Sequence, residues 1–261
     1  MLFAEIEYLT SDTGLADYKA DRYWKCMSIE QRPFDPDGVD HYSAFEFANN
    51  TEQRCPCVLV SDCSGSMQGR CIDAINRAIE RFAEDLRGDD LASKRVDIAV
   101  ITFGNEVKVL HDFTSAQSFV PQRMGAAGAT PLGEALCQAV QMIERRKVSM
   151  KDAGIPHYRP WLVVMTDGEP TDRNSQFWQT ARQLVSAGVD AHKFTFFPLI
   201  TEDGNKALVQ ELSPRSTVRG LDSHKFSEFF LWLTGTLLAV SRSQIGGQAV
   251  LPPPGDWIID V

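Results

Sequence analysis

The sequence predicts an α/β fold, a central and mostly parallel sheet with helices on both faces. Three observations predict it. From residue 57 to residue 241, short apolar runs alternate with segments whose apolar residues recur at helical spacing. Two of those runs, "CVLVSD" and "WLVVMTD", are almost wholly apolar and end in an acid, as strands covered on both faces do. The 261 residues are 43% hydrophobic and 23% charged, enough for a full core in one large domain or two small ones.

Residues 1–54 show no clear periodicity. Their many aromatics (Tyr8, Tyr18, Tyr23, Trp24, Phe34, Tyr42, Phe45, Phe47) are mixed with acids and with a turn-rich "RPFDPDGVD". That aromatic content is too high for a disordered tail. We expect an extension packed on the main domain, adding an edge strand at most.

The main domain is expected over 55–243. Residues 57–62 read as a buried strand, and 71–87 as a helix with Ile72, Ile75, Ile79, Phe82 and Leu86 on one face. Residues 95–104 and 107–113 are two strands close enough to form a hairpin. A helix over 131–147 aligns Leu132, Leu136, Val140 and Ile143. Residues 161–168 read as a central strand, and a helix over 177–188 is expected to stop at Gly188, a natural left-handed end. A strand at 193–200, a short helix at 206–213 and an edge strand at 216–221 follow. The closing helix over 225–241 presents Phe226, Phe229, Leu233, Leu237 and Val240. The Pro-rich tail, 244–261, reads as a surface segment; the sharper alternative is a docking strand anchored by Trp257.

Composition excludes several functions. A formal net charge of −9 argues against nucleic acid, which calls for clustered Lys and Arg, and against an anionic membrane surface. The acidic start "MLFAEIEYLTSD" has no basic segment followed by an apolar run, so no signal peptide is read there. The longest apolar stretch, 229–240, falls short of the ~20 residues of a membrane span. A cytoplasmic location is expected. The 6 cysteines include four between Cys55 and Cys71, but "CPC" has the wrong spacing for zinc and no second pair follows. They read as buried free thiols.

Chemistry concentrates in "VSDCSGSMQGR". Asp62, Ser64 and Ser66 stand at every second position, where an extended or turning loop aims them at one point. One carboxylate and two hydroxyls are hard donors, suited to Mg²⁺, Mn²⁺ or Ca²⁺. Thr130, before Pro131, and Asp167, at the end of a strand, come from distant sequence but belong at the same sheet edge, where open α/β sheets bind ligands. Each also has a plain explanation: Ser66 and Thr130 as helix caps, Pro131 as a first helical residue, Asp167 as a turn former.

In this order "DCSGSM", "GAT" and "TDGEPTD" resemble the three loops of the metal-ion-dependent adhesion site of von Willebrand factor A domains. The resemblance spans about residues 57–241 and implies a Rossmann-like fold of that type. It implies Asp62, Ser64 and Ser66 as first-loop metal ligands, Thr130 as the second-loop ligand and Asp167 as the third-loop carboxylate, often acting through water. "TDGEPTD", "FFLWLTGTLLAVSRS" and "LPPPGDW" further resemble the bacterial TerY-like tellurium-resistance family. That likeness implies a stress-response or phage-defence role beside a protein kinase and a PP2C-type phosphatase. Residues 1–54 depart from the family pattern. Cys63 occupies the motif's variable position.

Such a site, with Mg²⁺ bound, is expected to capture an Asp or Glu from a protein partner rather than to catalyse. A hydrolase or phosphatase calls for a base or nucleophile nearby, yet His111, His157, His192 and His224 lie outside the three loops. Ser64 and Gln68 replace the glycines of a nucleophile elbow around Ser66, and "GAAGAT" lacks the ending of a phosphate loop. Glu169 and Asp172 are the best spare acids. A structural scaffold with an incidental metal site is the alternative. Asp35, Asp37 and Asp40 read as a solvated loop or, more sharply, as an internal ligand for the site.

Overall fold

The computed structural model describes residues 46–167, 169–201, 204–213, 219–221, 226–245 and 252. Its six strands are β1 (Cys55–Asp62), β2 (Val96–Phe103), β3 (Val107–Ser115), β4 (Trp161–Thr166), β5 (Thr195–Thr201) and β6 (Arg219–Leu221). They form one sheet in the order β3-β2-β1-β4-β5-β6. Only the β2–β3 pair is antiparallel, which is the expected hairpin. All other pairs are parallel.

The helices are α1 (Arg70–Arg87), α2 (Ala92–Arg95), α3 (Leu132–Asp152), α4 (Gln176–Asp190), α5 (Lys206–Gln210) and α6 (Phe226–Arg242). Every apolar position read at helical spacing on α1, α3 and α6 is buried. Alternation along β1 divides the core. Cys55, Cys57 and Leu59 face the layer of α1 and α6, whereas Val58 and Val60 face that of α3 and α4. All eight residues of β1 are buried, because helices cover both faces and strands pair with both edges.

The chain runs outward from β1 through β2 and β3, then returns to lay β4 against the other edge of β1. Strand order therefore reverses between β1 and β4, and the carboxyl ends of those two strands flank the crevice. Asp62 closes β1 and Asp167 follows β4.

Several expected helix ends need correction. Helix α4 continues through Gly188 to Asp190, and the left-handed residue beyond it is His192, at φ 54°. Gly188 serves packing instead: a Cβ there would lie 2.3 Å from the Phe194 ring. Pro131 is the residue before α3 rather than its first residue, and α3 runs five residues past 147 to Asp152. In the tail, Pro252 accepts a hydrogen bond from Trp232 of α6 at 3.0 Å, while Trp257 lies outside the described residues.

The described end of the N-terminal extension makes no edge strand. Residues 46–49 are helical, and Arg54 bridges to His157 at the amino ends of β1 and β4. There Asp97 is fully buried between two arginines: Arg54 donates to its Oδ1 at 3.3 Å, and Arg146 to its Oδ2 at 2.7 and 3.0 Å. Arg146 also donates to Glu46 at 2.9 Å, and its guanidinium lies 4.5 Å from the Phe47 ring centroid. Burial pushes the Glu46 carboxyl above its usual range and Asp97 adds to this, while the two arginines oppose it.

Asp97→Ala leaves two buried guanidiniums without their shared carboxylate. Loss of stability of about 3–5 kcal/mol is expected, read as a lower urea midpoint.

Candidate functional site

Three loops meet at the carboxyl ends of β1 and β4. The first leaves β1 at Asp62, makes a short 3₁₀ turn over Gly65–Met67 and enters α1 after Gly69, whose φ of 84° only glycine adopts readily. Neither Ser66 nor Thr130 caps a helix. Gly69 holds the cap position of α1 and Pro131 that of α3. The plain explanation for both hydroxyls therefore fails.

Asp62 is fully buried with both carboxylate oxygens engaged. Oδ1 accepts from the Ser64 backbone N–H at 2.8 Å and Oδ2 from the Thr166 hydroxyl at 2.7 Å. Burial raises its pKa, Asp167 adds to the rise, and the Ser64 and Thr166 hydrogen bonds oppose it. The Ser64 and Ser66 hydroxyls are 3.0 Å apart, and Ser66 donates to Asp167 Oδ2. Asp167 Oδ1 accepts from the Glu169 backbone N–H at 3.2 Å, so Asp167 both forms its turn and faces the serines.

Thr130 stands outside this hydrogen-bonded group of side chains. It is buried, and its backbone is fixed from two sides by Thr171. The Thr171 hydroxyl accepts from the Thr130 N–H at 3.1 Å, and the Thr171 N–H donates to the Thr130 carbonyl at 2.9 Å. Asp172 then accepts from the Gly133 and Glu134 N–H groups at 3.2 and 3.0 Å. The third loop thus caps α3 from outside, using the exposed N–H groups and positive end of its first turn. A role in positioning Thr130 is what "EPTD" conceals in sequence, because the partners lie about 40 residues away.

The second loop is zipped to the first through its backbone. Ala127 donates to the Cys63 carbonyl at 2.7 Å and Gly65 to the Gly128 carbonyl at 3.1 Å. Asn76 of α1, which is buried, anchors the same loop by pairing its amide with both backbone groups of Met124, at 2.8 and 2.9 Å. Thr166 and Asn76 carried no signal in the sequence beyond being polar residues at positions that belong to the core.

The donors fit a hard divalent cation. Two carboxylates and two hydroxyls converge, and one carboxylate is desolvated and oriented by hydrogen bonds. Burial pushes the thiols of Cys57, Cys63 and Cys137 up to about 12, so all three are protonated near neutrality. Among the described residues, no group of three or more His, Cys, Asp or Glu gathers as a zinc site would require. Asp35, Asp37 and Asp40 lie outside the described residues. Residues 46–54, the described end of the extension, lie at the amino end of β1, which spans about 26 Å at 3.3 Å per residue.

Comparison with known proteins identifies the family and the fold. The model of the von Willebrand factor type A domain matches residues 57–228, and the chain belongs to that family. It is 26% identical over 160 residues to inter-alpha-trypsin inhibitor heavy chain H1 of Mesocricetus auratus; the match covers 57% of this chain and 16% of that protein. A von Willebrand factor type A structure from Catenulispora acidiphila superposes with a TM-score of 0.55 at 19% identity, covering 72% of this chain and 43% of that one. The vWF domain of the type V pili tip protein Mfa5 from Porphyromonas gingivalis superposes with a TM-score of 0.52 at 12% identity, covering 74% and 98%. Among the described residues, no helix is long and apolar enough to cross a membrane.

Asp172→Ala removes both acceptors at the first turn of α3 and leaves the third loop held there only through Thr171 and Thr130. Thermal unfolding is expected to show a loss of about 1–3 kcal/mol.

Proposed function

We propose that this chain is a divalent-metal-dependent protein-binding module. Asp62, Ser64, Ser66, Thr130 and Asp167 would hold the ion, with Mg²⁺ its occupant in the cell and Mn²⁺ or Ca²⁺ able to replace it. The bound ion supplies a Lewis-acidic position that a partner's Asp or Glu completes. One observation carries this reading. Ser66 and Asp167, 101 residues apart, are hydrogen-bonded across the mouths of adjacent strands, with Ser66 exposed above a buried Asp62.

That depth gradient suits docking. Asp62 and Ser64 form a fixed floor, while Ser66 and Asp167 form a rim that a partner's side chain reaches without entering a closed cavity. The placement of the histidines supports binding over catalysis. His157 and His192 precede β4 and β5, at the opposite end of the sheet, and His111 lies on edge strand β3 against Phe119. His41 and His224 are outside the described residues.

The motif resemblances carry a narrower assignment: a cytoplasmic, TerY-like component of a bacterial stress, tellurium-resistance or phage-defence system. A protein kinase or PP2C-type phosphatase is then the natural partner to supply the acidic residue.

The test has two parts. Mg²⁺ at 100 times its dissociation constant is expected to stabilise the wild-type chain by about 2.7 kcal/mol, with Asp62→Ala and Ser66→Ala showing no such shift in thermal unfolding. Capture of a partner from native lysate is expected to fail with EDTA and with both variants. Metal binding without metal-dependent capture would favour the scaffold alternative. Metal-dependent turnover of a phosphoester panel, lost in Asp62→Ala, would overturn binding in favour of catalysis.

A further inference from the structure

Away from the metal face, α6 carries an aromatic surface that the module's chemistry does not use. Trp232 is half-buried on its outer side. The Trp232 ring is braced by Phe197 and Phe229, with both centroids 5.9 Å from its own. The indole N–H donates to the carbonyl of Pro252 at 3.0 Å. Gly235, one helical turn further on, lies under the proline: a Cβ built there would be 3.4 Å from Pro252 Cγ. A longer side chain at that position would occupy the volume of the ring.

Glycine is a poor residue inside a helix, so a packing reason for it is informative. Proline runs lack N–H groups and offer carbonyls as their hydrogen-bonding atoms. They are also already extended, and lose little entropy on docking. A rigid indole donor beside the bare backbone of Gly235 matches both properties, and aromatic-lined grooves recognise polyproline in this way.

We propose that the Trp232–Gly235 face of α6 is a polyproline-binding seat, occupied in cis by the chain's own "LPPPGDW" segment. Six residues separate Ile245 from Pro252, so the segment is tethered beside its seat. The tether gives it a high effective concentration there, and a proline-rich segment from another molecule must displace it. The seat is independent of the metal site and stands whether or not that site binds an ion.

The experiment reads solvent exchange of the Trp232 indole proton by NMR in the full chain, with Trp232→Phe to assign the signal. In the wild type the proton is expected to exchange about tenfold more slowly than in a variant with Pro252, Pro253 and Pro254 all changed to Gly, as for a seat filled roughly nine-tenths of the time. A synthetic peptide of residues 248–257 is expected to restore protection in that triple variant, but not when Gly235→Leu is added. The tail substitutions lie outside every described helix and strand, so the comparison does not depend on α6 variants folding. Equal exchange in wild type and triple variant would overturn the proposal. Protection that rises with protein concentration alongside tail-dependent dimerisation would overturn the cis assignment and make a second copy the occupant.

Discussion

The structure depends on the complete enclosure of β1. Eight consecutive residues, Cys55 to Asp62, are buried, with β2 on one edge, β4 on the other and helices over both faces. A strand so placed has no free register, since a slip of one residue would exchange Cys57 and Leu59 with Val58 and Val60 between two differently shaped layers. Its last residue, Asp62, is therefore delivered to a fixed point. Everything at the site is hung from that point.

Around Asp62 the parts differ in rigidity for a physical reason. The floor is made of buried polar groups that are all paired, as burial demands: Asp62 with Ser64 and Thr166, and Asn76 with Met124. The rim is made of loop residues bonded mainly to one another, with Ser66 and Glu169 in solvent. Asp172 and Thr171 join the two regimes by tying the third loop to the start of α3. A docking surface gains from this division, because the fixed floor orients the donors while the rim stays open.

The opposite end of the sheet is fastened by charge. Arg54, Asp97, Arg146 and Glu46 unite the approach to β1, the start of β2, the body of α3 and the helical residues 46–49. Desolvating so many charges is costly, and mutual pairing offsets the cost only when all members are present. The cluster thus makes the packing of residues 46–54 and the assembly of the domain depend on each other. It holds residues 46–54 at the amino ends of the strands, at the opposite end from the three loops.

The sequence by itself determined the elements whose signal is local. Apolar runs at 57–62 and 161–166 announced central strands, and the stripes on α1, α3 and α6 announced their buried faces. Hard-donor spacing marked Asp62, Ser64 and Ser66, and the topology rule placed Asp167 beside them. What only the tertiary structure decided were contacts between distant segments. No spacing connects Thr171 and Asp172 to Thr130 and α3, Asn76 to Met124, or Arg146 to Asp97. Gly188 read as a helix stop because a glycine's freedom is visible in sequence, whereas the Phe194 ring that needs its bare face is not. Periodicity records which face of an element is buried; the partner that buries it is settled only when the chain closes on itself.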